Sequence, residues 1–236
     1  MSPGAQAMIL AAGLGTRMRP LTDHQPKALV TVAGKALIDY AIDRLIEAGV
    51  RRLVVNLHYC ADPLEAHLRR RRDIAVTLSD ERAQLLDTGG GLAKALPHFG
   101  GHPFLTLNCD SLWLETVSNV SALQNAWAPD RMDGIMLLCA REAAVGYDGP
   151  GDFELDQGGR IAWRQGDTAS FVWTGVQILH PRLLAGCPEG PFSTRILWDR
   201  AIAAGRLFGL RFDGTWLHVG TPEAVREAEA ILAHRG

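Results

Sequence analysis

Two glycines and a small group of cations carry the densest chemistry in the chain. The run Leu10-Ala11-Ala12-Gly13-Leu14-Gly15-Thr16-Arg17-Met18-Arg19-Pro20 ends an apolar stretch in a Gly-x-Gly turn, and Pro26-Lys27 follows shortly after. Glycines at the carboxyl end of a strand let the backbone approach a ligand with amide groups free to donate. In open α/β sheets that end is where ligands sit. Between Arg17 and Lys27 the only acid is Asp23, and Lys27 is one of three lysines in the chain, with Lys35 and Lys94. Free amides, guanidinium groups and an ammonium suit a polyphosphate that gains charge in a transition state.

Spacing excludes two familiar phosphate loops. GxGxxG would need glycine where Met18 stands and a helix running straight on, which Pro20 opposes. GxxxxGK[ST] fails because no lysine follows the second glycine. A second loop, Leu86-Asp87-Thr88-Gly89-Gly90-Gly91, offers either a flat backbone surface for a nucleobase or simply the entry to a helix. Asn108-Cys109-Asp110 follows an apolar run, so Asp110 should emerge at the ligand end of the sheet, where it either caps a turn or holds Mg²⁺. Cys109 has no neighbouring histidine or cation pattern to make it a nucleophile. No Ser/His/Asp or paired-carboxylate arrangement is apparent. Taken alone, Gly151-Asp152-Phe153 and Trp173-Thr174-Gly175-Val176 are strand and turn residues.

The string LAAGxGTRMRPLT…PK resembles the signature of the sugar-1-phosphate nucleotidylyltransferases, and further agreement continues along most of the chain. That resemblance implies transfer of a nucleotidyl group from a nucleoside triphosphate to a sugar 1-phosphate, with release of pyrophosphate. It implies nucleotide contacts from Ala11, Ala12, Gly13, Gly15, Thr16, Arg17, Lys27, Thr88, Gly89 and Gly90, with Gly13, Gly15 and Thr16 cradling the β and γ phosphates. Arg17 would stabilise the leaving pyrophosphate, Lys27 would bridge the α-phosphate and the incoming phosphate, and Asp110 would anchor Mg²⁺. Asn108, Asp152, Thr174 and Gly175 fall on the sugar side. The LDTGGG loop is most like that of the short, muramate-specific members, implying UTP and N-acetylmuramate α-1-phosphate in cell-wall recycling. Guanylyl or thymidylyl transfer to mannose, glucose or heptose 1-phosphate is the alternative within the class.

One position departs from the pattern. Members usually carry W-x-D-V-G-T, with the aspartate as a second metal ligand, and here His218 stands in its place. Imidazole is a poor ligand for Mg²⁺ and suits softer ions. Three outcomes follow: Asp110, phosphates and water hold Mg²⁺ alone; His218 recruits Mn²⁺ or another metal; or His218 is a bystander, a buried hydrogen-bonded ring, or a phosphate contact when protonated. The same departure motivates a reading of another class, a nucleotide-binding regulatory protein without catalysis.

The elements that must position these residues alternate along the chain. Ala7–Ala12, Arg52–Leu57, Ile74–Leu78, Phe104–Asn108 and Gly134–Ala140 form apolar, strand-like runs, while Leu37–Ala48, Pro63–Arg70, Gly91–Leu96 and Val117–Ala126 are predicted as helices. The pattern predicts an α/β fold, a doubly wound, mainly parallel Rossmann-like sheet flanked by helices. After about residue 141, Asp152–Leu155, Arg160–Trp163 and Phe171–Leu179 alternate with Gly/Asp turns, predicting a small antiparallel sugar-binding elaboration at a sheet edge. Thr194–Ala204 and Pro222–Ala233 close the chain as helices. One domain over 1–236 is expected, its nucleotide-binding half about 1–140 and its sugar-binding half about 141–236, with no appended catalytic domain.

Composition bounds the rest. With 236 residues, 47% of them hydrophobic and 21% charged, the chain can bury a core without staples, which excludes a disordered chain and a disulfide mini-protein. A net charge of −2 argues against nucleic acid as a partner. The Arg69–Arg72 block is expected to be a solvated helix end. Four scattered cysteines and no apolar run long enough for a signal core or a membrane span point to the cytoplasm. The sequence carries no sign of oligomeric state.

Overall fold

In the computed structural model, residues 6–234 are described. In chain order the strands are β1 (Gln6–Leu10), β2 (Thr31–Val32), β3 (Lys35–Ala36), β4 (Arg52–Leu57), β5 (Ala75–Asp80), β6 (Phe104–Asn108), β7 (Ser111–Leu114), β8 (Gly134–Ala140), β9 (Phe153–Leu155), β10 (Ile161–Trp163), β11 (Phe171–Leu179), β12 (Leu207–Arg211) and β13 (Thr215–His218). The helices are α1 (Leu37–Glu47), α2 (Ala61–Leu68), α3 (Asp87–Ala95), α4 (Asn119–Ala126), α5 (Arg195–Ala203) and α6 (Pro222–Ala233).

The strands β5, β4, β1 and β6 pair in that order, all parallel, so their carboxyl ends share one rim. Beyond β6 the direction reverses. β11 pairs antiparallel with β6 on one side and with β8 on the other, and β12 continues beside β8 in parallel. The β9–β10 hairpin joins the sheet at Phe171, the first residue of β11. The antiparallel segment is therefore no edge addition, since its longest strand lies inside the sheet. Every residue of β11 except Trp173 is buried, the mark of a strand covered on both faces.

One face of the sheet packs against α1, α2 and α4 through Ile38, Leu45, Leu64, Val120 and Leu123, and the other against α3 and α5 through Leu92, Ala95, Leu197 and Ala201. A third cluster sits under α6 and includes Met18, Val30, Leu217, Val219 and Val225. Met18 has no exposed surface. Its burial ties the middle of the glycine-rich loop to the core with about 1.5–3 kcal/mol.

Away from the main sheet, β13 pairs antiparallel with β7 and sets His218 opposite Ser111. In the Arg69–Arg72 block Arg69, Arg70 and Arg72 are exposed as expected, while Arg71 bonds Asp39 and Asp43 of α1 at 2.9 Å and Asp73 at 2.7 Å, fastening the end of α2 to α1. No helix among the described residues is long and apolar enough to cross a membrane.

Candidate functional site

The first loop is built around Gly15. Its φ of +63° is left-handed, and a Cβ there would meet Thr22 Cγ2 at 3.0 Å and Lys27 Cβ at 3.2 Å, so only glycine lets the loop fold against Lys27. The Gly15 carbonyl accepts from Met18 N at 2.9 Å and from Thr22 Oγ1 at 2.8 Å, which closes a single helical turn over Thr16–Met18. Gly13, Thr16 and Arg17 stay exposed while Ala11 and Ala12 are buried. Arg19 pairs with Asp23 at 3.6 Å. Arg17 has no hydrogen-bond or ion-pair partner among the described residues.

The second centre joins three distant segments. Lys27 follows Pro26 at the start of a single helical turn, and its Nζ lies 2.5 Å from Asp110 Oδ2, with both side chains largely buried. Asp110 leaves the carboxyl end of β6, and its carbonyl accepts from Val219 N at 2.8 Å, which brings the end of β13 and His218 alongside. Burial pushes the Asp110 carboxyl up, but the Lys27 ammonium, His218 and the Lys27 hydrogen bond outweigh it and leave it below the usual carboxylate range. Burial lowers His218; nearby Asp110 pulls the other way, Lys27 and Arg17 add to the lowering, and the ring is neutral near pH 7. The imidazole lies on Trp216 at 5.7 Å between ring centres and is tightly fitted, because a Cβ at Gly220 would come within 2.6 Å of His218 Nε2. Burial, with Asp110 beside it, pushes the Cys109 thiol up to about 12, so that thiol is inert.

Beside Lys27 and Asp110 lies a cavity of about 220 Å³, and Gly15, Thr16 and Arg17 are not among the residues that line it. It brings together Ala11, Ala12, Gly13, Lys27, Thr88, Asn108 and Asp110 of the predicted site. Asn56, Leu85 and Asp87 also line it and were not predicted. Asn56 was within reach, being the one polar residue near the carboxyl end of a parallel strand beside β1. Leu85 and Asp87 carry no such signal.

Gly89 and Gly90 do not line the cavity. Both amides donate to the Phe192 carbonyl, at 2.8 and 3.1 Å, and a Cβ would clash with the Phe192 ring at Gly89 and with the Gly190 carbonyl at Gly90. The glycines serve close packing inside α3, which starts at Asp87 rather than Gly91; in the loop Asp87 is exposed and Thr88 half-buried.

Among the residues expected on the sugar side, Gly175 (φ +87°) passes so close to Asn108 that a Cβ would stand 2.9 Å from Asn108 Cβ, and the β11–β8 register shifts between Trp173 and Gln177. The Asp152 carboxylate accepts from Trp173 N at 2.9 Å, and burial raises its pKa despite that bond and nearby Arg164. The Thr174 side chain is fully buried and donates to the Leu137 carbonyl at 2.9 Å, beside that register shift. Phe153 stacks on Trp163 at 4.7 Å and Trp173 meets Trp198 edge-on at 4.8 Å, forming an aromatic group beside Asp152 that the sequence did not single out.

For a metal, Asp110 offers the hard oxygen donor, with Lys27 on one of its oxygens. No group of three or more His, Cys, Asp or Glu side chains among the described residues could hold an ion. One carboxylate fits Mg²⁺ bound chiefly by substrate phosphates and water.

Residues 7–152 match the model of the MobA-like NTP transferase domain. The chain is 48% identical over 96% of both sequences to the N-acetylmuramate α-1-phosphate uridylyltransferase of Caulobacter vibrioides. It is 34% identical to the enzyme of the same name from Neisseria meningitidis serogroup B, over 96% of this chain and 97% of that one. The inositol-1-phosphate CTP transferase of T. maritima superposes with a TM-score of 0.79 at 19% identity, over 96% of this chain and 95% of that one.

Proposed function

The chain belongs to the MobA-like NTP transferase family, and we propose that it transfers a uridylyl group from UTP to N-acetylmuramate α-1-phosphate, yielding UDP-N-acetylmuramate and pyrophosphate. The observation that carries this reading is the largely buried Lys27–Asp110 pair, which with Ala11, Ala12 and Gly13 lines one cavity at the carboxyl ends of β1 and β6. A phosphate oxygen of the sugar phosphate attacks the α-phosphorus of UTP, and the bond from that phosphorus to the bridging oxygen breaks as pyrophosphate leaves. The nucleophile is already an anion, so no general base is needed. Catalysis then rests on positioning and charge neutralisation.

Lys27 is the cation nearest the reacting phosphates, and Asp110 holds its ammonium in place. Arg17, on the exposed turn, meets the charge that develops on pyrophosphate, with the Gly13, Gly15 and Thr16 backbone beside it. Ala11, Ala12 and Thr88 border the nucleoside. Asn108, Asp152 and Gly175 serve the sugar, and the Trp173–Trp198 group offers an apolar wall for a hexose face. The divalent ion with which such transferases work, here assigned as Mg²⁺, would be held by Asp110 and would neutralise phosphate charge. Residues 1–140 and 141–236 act as two halves of one domain. A route that recovers a cell-wall sugar with UTP operates in the cytoplasm.

Pyrophosphate release tests the reading. Purified protein is assayed with UTP, GTP, CTP and dTTP against N-acetylmuramate, N-acetylglucosamine, glucose and mannose 1-phosphates, with Mg²⁺ and with Mn²⁺. The expected result is a kcat/KM for UTP with N-acetylmuramate α-1-phosphate that exceeds every other pair. Preference for GTP or for an unsubstituted hexose reassigns the substrate, and binding without turnover under every condition overturns the enzyme.

A further inference from the structure

The strand end that supplies Asn56 also carries a buried polar chain that none of the catalytic roles uses. The Ala11 amide donates to Asn56 Oδ1 at 2.7 Å, Asn56 Nδ2 donates to Glu81 Oε1 at 2.8 Å, and the Leu86 amide donates to Glu81 Oε2 at 3.1 Å. Ala11 opens the glycine-rich loop and Leu86 opens the Thr88 loop, so one short relay spans both walls of the cavity. Asn56 is 3% exposed and Glu81 is 1% exposed. Glu81 has no ion-pair partner among the described residues. Its backbone is also fixed: Glu81 N donates to Leu57 O at 2.7 Å, and its carbonyl accepts from Gln84 N at 3.0 Å. Gly91 completes the arrangement, because a Cβ there would lie 2.9 Å from Glu81 Oε1 and 3.1 Å from Asn56 Nδ2. The third glycine of the loop thus lets α3 settle onto the relay.

We propose that Glu81, which does not line the cavity, is the positioning residue of the nucleotide site: through Asn56 and the Leu86 amide it sets the glycine-rich loop and the Thr88 loop at the spacing that admits the nucleotide. The physical ground is donor–acceptor polarity. Two donors converge on Glu81, and an ionised carboxylate has an acceptor oxygen for each. Its demand on Asn56 Nδ2 forces the carboxamide oxygen toward the Ala11 amide, which fixes an otherwise ambiguous side chain. A carboxamide at 81 has one oxygen only, and one buried donor would then face another donor.

The inference rests on the uridylyl-transfer reading, and the test separates the two. Glu81→Gln, Asn56→Asp and the double variant are compared with the parent in steady-state turnover, UTP binding and thermal melting. Glu81→Gln opposes two donors, Asn56→Asp opposes two carboxylates, and the double variant restores every hydrogen bond with the polarity reversed. Each single variant is expected to raise the KM and Kd for UTP about tenfold or more, in line with one unsatisfied buried donor or acceptor, while the KM for sugar phosphate stays within about twofold. The double variant recovers UTP affinity to within about threefold of the parent. Unchanged UTP affinity in Glu81→Gln overturns the proposal, and so does a double variant no better than the singles, or a Tm loss that leaves UTP affinity untouched. A parent protein that neither binds nor turns over UTP overturns the underlying reading instead.

Discussion

Arg17 and Arg19 stand two positions apart on one turn and differ in how they are paired. Arg19 pairs with Asp23 at 3.6 Å, while Arg17 is exposed and has no hydrogen-bond or ion-pair partner among the described residues. Arg17→Ala is therefore expected to lower kcat by about 10²-fold or more, the usual cost of losing one charge-stabilising donor, with Tm unchanged because nothing folded depends on it. Rapid-quench measurement of the chemical step checks this, and a near-normal rate would remove Arg17 from the mechanism. His218 makes a different demand. If its imidazole occupies a place where a carboxylate would strengthen the ion site, His218→Asp should lower the Mg²⁺ concentration giving half-maximal rate; an unmoved metal titration would set the ring apart from the ion.

Asp152, which we propose faces the sugar, costs the fold stability. Its folded pKa lies above the unfolded value, so its contribution to stability is fully present below about pH 3.9 and is lost as pH rises through the folded value. Asn at this position keeps an oxygen for the Trp173 amide and removes the buried charge. Asp152→Asn should raise Tm at pH 7, lose that advantage below about pH 4, and raise the KM for the sugar phosphate. Melting curves across that range decide the sign.

At the scale of elements, strands with strong apolar patterns were legible and those defined by distant partners were not. Arg52–Leu57, Phe104–Asn108, Gly134–Ala140, Phe171–Leu179 and Pro222–Ala233 fall on the predicted limits. Leu207–Arg211 went unrecognised because a glycine and an arginine break its pattern, and its regularity comes from pairing with Gly134–Leu138 far away in sequence. Ser111–Leu114 and Thr215–His218 are short ribbon strands that exist through each other. The glycine-and-cation string could be singled out in the sequence because its residues are contiguous. Glu81 and the aromatic group could not, because the fold assembles them from separate segments. The Asp87–Ala95 helix holds three glycines that propensity disfavours, and packing against Phe192 and Gly190 overrides it. A paired substitution separates the two kinds of glycine. Gly89→Ala should destabilise by about 1–3 kcal/mol through overpacking against the Phe192 ring and carbonyl, seen as a lower midpoint in urea. A Cβ at Gly13 meets nothing within 4 Å, so Gly13→Ala should leave that midpoint in place and raise the KM for UTP. Equal midpoints for the two variants would refute the packing role.

At the scale of the molecule, the two halves predicted from sequence are interleaved rather than side by side. Val176–Leu179 of the second half lies between Phe104–Leu107 and Gly134–Met136 of the first. The second half also holds the Thr88 loop: the Phe192 carbonyl accepts from the Gly89 and Gly90 amides, and Thr194 N donates to Thr88 Oγ1 at 2.9 Å. A chain cut after residue 152 would retain the matched transferase segment but lose both strand neighbours of β8, a strand with six buried residues, and expose one edge of β6. Such unpaired apolar edges associate rather than fold. The 1–152 fragment is therefore expected to aggregate or to remain without a cooperative transition, and to bind no UTP. The whole chain should instead unfold in one step, with far-UV circular dichroism and tryptophan fluorescence coinciding. Its six tryptophans report on both halves, Trp113 and Trp127 on the first and Trp163, Trp173, Trp198 and Trp216 on the second. A monomeric fragment that unfolds cooperatively and binds UTP within about tenfold of the full chain would show that the first half stands alone and that the central strand is dispensable to it.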